Sequence, residues 1–335
     1  MPESLDPALL AAAAAAFDIR PQDLSPVRGG NFSHVYAFQR GGRECILRIT
    51  PPNAEIDTAA LRAGMALSAH LAAAGVGTPA PLPAAGGGWI EPLASPRGIY
   101  LAAAFERAPG TLAEELDFAL WDQARFAQLG QAVGRFHAAS RSYQPAPGLE
   151  RPDWDQAGSC FNPPEEIADE ALRRRREEAW CAVQALPRDP AAWGWIHADL
   201  HGGNFMLDPL SGRITLLDFD DCAHGWYVMD IAMLLHDFLV LCPWEDKAAF
   251  AEHFLRAFLP AYLSAMPLDG VWIERLPLFL KLVETGIYAQ VAEFADSMEP
   301  DSWVGRFMHG RRQRIAGAVP VVDLDFGRVY RECRP

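Results

Sequence analysis

The chain has no run of about 18 apolar residues, so nothing in it reads as a membrane-spanning helix. Its start lacks a basic segment followed by an apolar core and a cleavage site. The alanine run of 11–16 follows acidic residues and reads as helix, so no secretory leader is expected. The six cysteines, at 45, 160, 181, 222, 242 and 333, include no C-x-x-C pair. That argues against a zinc ribbon or disulfide framework and for a reducing cytoplasm. Lysine is almost absent, with only Lys247 and Lys281, so nearly every cation is arginine. The net charge of −14 argues against nucleic acid or an anionic membrane as partner, because both reward basic surfaces. It is compatible with a cationic ligand. The one dense basic run, Arg173 to Arg176 before Glu177 and Glu178, reads as a solvated helix face with i,i+4 pairs.

What the chain does have is length, 335 residues of which 50% are hydrophobic, enough for a large core in two lobes. It also has one dense polar stretch, W-I-H-A-D-L-H-G-G-N-F-M-L-D-P-L-S-G-R-I-T-L-L-D-F-D-D, from Trp195 to Asp221. An apolar approach, Trp193 to Ile196, leads into His197, Asp199, His201 and Asn204. Phe205 to Leu207 reads as a strand, Asp208-Pro209 with Ser211-Gly212 as a turn, and Ile214 to Leu217 as the returning strand. Such a hairpin sets Leu207 against Ile214 and Asn204 almost opposite Asp218. A side-chain amide and a carboxylate converging in this way suit a hard divalent cation such as Mg²⁺. Asp199 is then a carboxylate placed to accept a proton. The rival reading, H-x-D-x-H over His197, Asp199 and His201, is a Zn²⁺ hydrolase. It leaves Asn204 and the acids of the second strand unexplained.

H-x-D-x-x-x-x-N followed by an Asp at the end of the next strand resembles the catalytic and metal loops of protein-kinase-like phosphotransferases. The form here, HADLHGGN…LLDFDDCAHGWYVMDIA, is similar to the aminoglycoside phosphotransferase and choline kinase branch, which also holds homoserine kinases and the stress-response kinase A group. The resemblance implies a two-lobed α+β fold with a small antiparallel-sheet lobe over 1–104, a hinge over 105–110 and a larger, mainly helical lobe over 111–335. It implies ATP and Mg²⁺ as cofactors and transfer of the γ-phosphoryl group to a hydroxyl. Asp199 would be the catalytic base, His197 and Asp230 would support the catalytic loop, and Asn204, Asp218 and Asp220 would be the metal residues.

In the first lobe, two strand-like runs flank Gly41-Gly42, a two-residue hairpin turn that pairs Val35 with Arg48. The small polar loop before them, with Gly29, Gly30, Asn31 and Ser33, resembles a phosphate-covering loop, although it lacks the full G-x-G-x-x-G pattern. Arg48 stands where a protein kinase carries its phosphate-pairing lysine, and a planar guanidinium suits that task. A helix over Thr58 to Ala74, closed by Gly75, is the place where relatives carry a glutamate for this cation. This chain has Gly64 there, with Glu55 or Asp57 as substitutes. Short strands around Trp89 to Leu93 and Ile99 to Phe105 lead to A-A-A-F-E-R-A-P-G, which resembles the hinge. Phe105 would lie beside adenine, and the backbone of Glu106 to Ala108 would meet its edge.

Helical spacing marks Trp121 to Ala139, where His137 reads as a packed, hydrogen-bonded histidine. Further helices are expected over Glu165 to Leu186, Met229 to Leu241, 245–265 and 272–298, with a long loop from Tyr143 to Pro164 bordering the substrate. The acceptor implied is a small molecule with a hydroxyl, of the aminoglycoside, choline or homoserine kind. The alternatives are a protein serine or threonine, as the stress-response group implies, and a degenerate nucleotide-binding module. Glu284 and Glu293 fall where relatives place acceptor-binding acids, but solvent-facing helical acids are common.

Overall fold

Gly41 and Gly42 both take positive φ, +59° and +79°, and close the hairpin the sequence predicts. The structure, a computed structural model, describes all residues except 1–4, 28–32, 53–57, 157–160, 162–168, 293–297 and 335. The chain forms two compact units. The first holds Met1–Gly110, Tyr143–Glu150 and Thr215–Asp220, and the second holds Thr111–Ser142, Arg151–Ile214 and Asp221–Pro335.

The first unit opens with helix α1 (Pro7–Ala16), capped by the Asp6 carboxylate, and strand β1 (Ser25–Pro26). The hairpin pairs β2 (His34–Arg40) with β3 (Arg43–Thr50), and Val35 does lie opposite Arg48. Helix α2 (Thr58–Ala73) ends at Gly75, whose φ of +77° closes it. β4 (Pro81–Leu82), β5 (Ile90–Ser95) and β6 (Gly98–Glu106) complete an antiparallel six-stranded sheet. Its order is β1-β2-β3-β6-β4, with β5 also on β6.

Strand alternation gives this sheet two different faces. Cys45, Leu47 and Ile49 of β3 and Tyr100, Ala102 and Ala104 of β6 pack with α1. Leu101 and Ala103 of β6 face the other way, with Phe105, Ile90 and the α2 residues Leu61 and Met65. Arg48 lies opposite Ala103, with its guanidinium carbon 5.6 Å from the Phe105 ring centre.

In the second unit, β7 (Thr111–Leu112) precedes α3 (Gln123–Ser140) and α4 (Glu170–Gln184). Next come β8 (Trp193–Ile196), β9 (Phe205–Leu207) and β10 (Ile214–Leu216), of which Ile214 belongs to this unit. β7 pairs with β9, and the turn after β9 is closed by the Asp208 amide donating to Arg213 O. β11 (Ala223–Trp226) pairs along the whole of β8, so the residues after Ile196 leave from a fixed ribbon end.

Then follow α5 (Tyr227–Leu241), α6 (Lys247–Ala265), α7 (Gly270–Glu274), α8 (Leu276–Val291), α9 (Trp303–Met308), α10 (Arg311–Ala316) and α11 (Phe326–Cys333). Side-chain N-caps start most of these helices: Asp122 for α3, Asp169 for α4, Asp246 for α6 and Asp325 for α11. Gly130 and Gly134 bring α3 against α6 at backbone distance; a Cβ at 130 would lie 2.2 Å from Phe258 O. Among the described residues, no helix is long and apolar enough to cross a membrane.

Three expectations need correction. The single helix over 272–298 is two, α7 and α8, because Pro277 in the first turn of α8 has no amide to continue the ladder. Arg176 is not on a solvated face. It is 4% exposed and shares the inward stripe of α4 with Leu172, Ala179 and Val183, although Arg174 and Arg175 do pair with Glu178. Glu284 is a buried partner of Arg311 and not a solvent-facing acid. The segments holding Gly29, Gly30, Asn31, Glu55, Asp57 and Glu293 lie outside the described residues.

Candidate active site

The loop leaving β8 is held by one carboxylate. Asp230, fully buried near the start of α5, accepts the His197 amide on Oδ2 at 2.8 Å and the Ala198 amide on Oδ1 at 3.0 Å. These bonds fix Ala198 at φ +70°, a left-handed conformation that costs a non-glycine residue about 1 kcal/mol. Charge-assisted hydrogen bonds to a buried carboxylate outweigh that cost. His137 Nε2 meets the same Oδ2 at 3.0 Å and its Nδ1 meets the Tyr262 hydroxyl at 2.9 Å. Burial holds the Tyr262 phenol well above its ordinary range, so it stays protonated and donates to Nδ1, leaving Nε2–H to face Asp230. A polar chain thus runs from α6 through α3 and α5 to the two residues before Asp199. His137 is the packed histidine its position predicts.

Beyond Ala198 the loop closes on itself. Asn204 donates from Nδ2 to both the backbone oxygen and Oδ2 of Asp199, each at 2.7 Å. The Asn204 amide oxygen is thereby turned away as an acceptor. Among the described residues, no hydrogen bond reaches Asp199 Oδ1, and the side chain is 37% exposed. His201 caps the short 3₁₀ turn Gly202–Asn204, with Nδ1 accepting the Gly203 amide at 3.1 Å and Nε2 lying 3.4 Å from Asp199 Oδ2. Burial alone would lower the His201 pKa. The hydrogen bond to Asp199 and the charges of Asp199, Asp237 and Glu114 outweigh it and raise the ring to about 9. Against that stands the Gly203 bond, which a doubly protonated ring cannot accept.

Asp237 accepts the Gly202 amide at 2.9 Å and the Trp303 indole N–H at 2.8 Å, and burial raises its carboxyl. These residues edge a cavity of about 650 Å³ inside the second unit. Glu114, Glu115, Asp199, His201, Asp237, Asp301 and Arg306 supply its polar wall. α5 supplies Met233, His236 and Leu241, and α8 supplies Val283, Gly286, Ile287 and Gln290. Phe161, from the loop expected to border the substrate, lines it as well. Sequence reasoning missed Glu114, Asp237 and Trp303. Nothing local marks them, because they meet the loop only through tertiary packing.

In the first unit, Arg48 holds two carboxylates, with one NH2 group 3.0 Å from Asp220 Oδ2 and the other 3.4 Å from Asp218 Oδ1. Its burial would lower its pKa, but Asp220 and Asp218 override that and keep it above the ordinary arginine value. Among the described residues, Arg48 is thus paired by Asp220 and Asp218 without a glutamate on α2. Gly64 has a reason of its own, since a Cβ there would stand 2.6 Å from Phe219 O. The helix lies directly on the backbone of 218–220, and Asp218 itself takes φ +54°. Ser33 is buried and its hydroxyl lies 3.0 Å from that of Thr50, tying β2 to β3. In the segment expected to form the hinge, the Glu106 amide donates to Ala80 O and the Arg107 amide to Glu44 O. Of the amides expected at an adenine edge, that leaves Ala108's, and Glu106 keeps only its carbonyl for the task.

Within the first unit Asp218 and Asp220 carry carboxylates, and within the second Asn204 carries an amide oxygen, each an oxygen donor of the kind a hard divalent cation takes. For the rival zinc site, no group of three His, Cys, Asp or Glu side chains among the described residues is placed to hold a metal. His197 is fully buried, and His201 is engaged with Asp199 and Gly203.

A family model described as phosphotransferase enzyme family (APH) matches residues 23–268. The amicoumacin kinase of Bacillus subtilis (strain 168) is 31% identical over 236 residues, 68% of each chain. A homoserine kinase of Rhodospirillum rubrum is 31% identical over 162 residues, 46% of this chain and 47% of that one. A solved structure of an amicoumacin kinase in complex with AMP-PNP, Ca²⁺ and Ami superposes with a TM-score of 0.83 at 26% identity, covering 97% of both chains. An antiparallel sheet followed by a mainly helical region is the protein-kinase-like arrangement shared with it.

Proposed function

This chain belongs to the phosphotransferase enzyme family, and from that premise we propose that Asp199 is the base that takes the proton of an acceptor hydroxyl. The enzyme is an ATP-dependent kinase for small molecules. The observation that carries the assignment of Asp199 is its place at the cavity: Oδ2 is pinned by Asn204, while Oδ1 has no hydrogen bond among the described residues. A hydroxyl held there loses its proton to Oδ1 as its oxygen bonds to the γ-phosphorus and ADP leaves. Such transfer relies on positioning and charge neutralisation, with little covalent work by the protein.

Asp230 and His197 position the loop and do not touch the reacting atoms. Asn204, Asp218 and Asp220 would hold Mg²⁺, which would supply charge neutralisation for the ATP phosphates. Arg48 exchanges part of its contact with Asp218 and Asp220 for those phosphates. Gly29, Gly30, Asn31 and Ser33 belong to the phosphate-covering segment, and Phe105, the Glu106 carbonyl and the Ala108 amide receive adenine. The nucleotide-binding lobe is 1–104, 105–110 the hinge, and 111–335 carries catalysis and the acceptor. The acceptor is a small molecule with a hydroxyl and a cationic group, which the carboxylates along the cavity wall favour.

The test is Mg²⁺-dependent ATP consumption with amicoumacin, aminoglycosides, homoserine and choline as acceptors. Asp199→Ala is expected to lower turnover by about a thousandfold or more while nucleotide still binds; Asp218→Ala is expected to weaken nucleotide binding itself. A folded Asp199→Ala variant that keeps its rate sinks the assignment.

A further inference from the structure

Asp237, a buried carboxylate on α5, divides its two oxygens between two parts of the second unit. Oδ2 accepts the Gly202 amide at 2.9 Å, in the 3₁₀ turn that ends at Asn204. Oδ1 accepts the Trp303 indole N–H at 2.8 Å, at the start of α9. Asp199, His201, Asp237 and Trp303 all line the one cavity. A single side chain therefore bonds both to the loop that presents Asp199 and to a wall of the space that takes the acceptor.

Both contacts are closely packed. A Cβ at Gly202 would stand 3.3 Å from Asp237 Oδ2 and 3.2 Å from the Glu114 amide nitrogen, so the loop sits tightly between α5 and residues 113–115. The start of α9 is fixed by its own cap, with the Ser302 hydroxyl accepting the Gly305 amide at 3.1 Å. From there the Trp303 ring stacks on Phe307, with 7° between planes and 5.3 Å between centres. The Arg311 guanidinium lies over that Phe307 ring and pairs with the buried Glu284 of α8 at 2.5 Å. So α9 is anchored near its start by Asp237 and beyond its end by Glu284. Of these two anchors, Asp237 is the one bonded to the catalytic loop as well.

We propose that Asp237 is a positioning residue that holds the Trp303 wall and the catalytic loop in one register, so that a displacement of Trp303 passes through its carboxylate to Gly202 and Asp199. This rests on Asp199 being the base at that cavity, and it adds the part that keeps base and acceptor wall aligned. The physical ground is that two donors fix the carboxylate's torsions together, and losing one frees it to turn away from the other. Alignment matters here because a misplacement of about 1 Å can cost about a hundredfold in rate.

Trp303→Phe keeps an aromatic ring in the wall and removes the N–H that reaches Asp237. Hydrogen exchange of the Gly202 amide, followed by NMR in deuterated protein, is expected to quicken about tenfold in this variant although the change is made on α9. Amides of β8 and β11, which a general loosening would also expose, are expected to keep their wild-type rates. Mg²⁺-ATP alone, with water as acceptor, is the kinetic probe. Its hydrolysis is expected to fall about fivefold in Trp303→Phe and about tenfold or more in Asp237→Asn, whose amide offers one acceptor oxygen to two N–H donors. Unchanged Gly202 exchange in folded Trp303→Phe, exchange that rises equally in β8 and β11, or faster Gly202 exchange with an unchanged rate of hydrolysis each overturns the proposal. The kinase reading fails differently. Wild-type protein that consumes no Mg²⁺-ATP, with or without an acceptor, removes that reading, whereas the Gly202 exchange rate still decides whether Asp237 couples α9 to the loop.

Discussion

Of the four described non-glycine residues in the left-handed region, Ala198 in the second unit and Asp218 in the first are held by opposite means. Ala198 is fixed by its own amide and that of His197, both donating to the fully buried Asp230. Asp218, at φ +54°, carries the charge itself; its carboxylate and that of Asp220 face the Arg48 guanidinium, and its side chain is 44% exposed. In the first segment the backbone supplies the donors, and backbone cannot leave. In the second the donor is a side chain and the Asp218 carboxylate reaches solvent, so it can be passed to another cation. The first arrangement suits a loop that must present Asp199 unchanged through every turnover. The second suits carboxylates that change partners, as the proposed Mg²⁺ role requires.

Removing the anchor in each segment is the sharpest way to break this contrast. Asp230→Ala strands two buried amides and His137, and we expect a loss of about 3–5 kcal/mol in denaturant unfolding. A variant within 1 kcal/mol of the wild type would show that the loop is held by something other than Asp230. For the other segment the corresponding change is Gly64→Ala, because α2 lies on the Phe219 carbonyl and neither backbone can yield cheaply. The expected cost is about 1–3 kcal/mol. Weaker Mg²⁺-nucleotide binding should come with it as 218–220 shift. Unchanged nucleotide affinity with reduced stability would mean that the segment tolerates displacement.

The parts of this site that are legible in the sequence are those built by local rules. Gly41-Gly42 sets the register that puts Arg48 opposite Val35, and the Asp208–Gly212 turn brings two strands together after Asn204. The distal acid, Asp230, was legible only as part of a longer pattern. What escaped was tertiary. Gly64 looks like a defect in an ion pair until Phe219 is seen against it, and Asp237 is an unremarkable helical acid until it accepts the Gly202 amide. Arg176 lay between these cases. Its spacing from Leu172, Ala179 and Val183 marks an inward stripe, but the four-arginine run around it pointed to solvent.

His201 offers the smallest effect and the finest test of how the loop is balanced. Its pKa is raised in the folded chain to about 9, above the ordinary histidine value of about 6.5. A group raised in this way contributes stability that is fully present below about pH 6.5 and is lost as the pH climbs through about 9. The side chain is 38% exposed, so solvent screens the carboxylates and the whole contribution should stay within about 1 kcal/mol. His201→Asn keeps a side-chain acceptor for the Gly203 amide and removes the titration, which isolates the charge from the cap. Unfolding midpoints of the two proteins should therefore differ more at pH 6 than at pH 9.5. A difference that stays constant across that range would mean that the ring remains neutral, with the Gly203 amide outcompeting the surrounding carboxylates for the state of Nδ1.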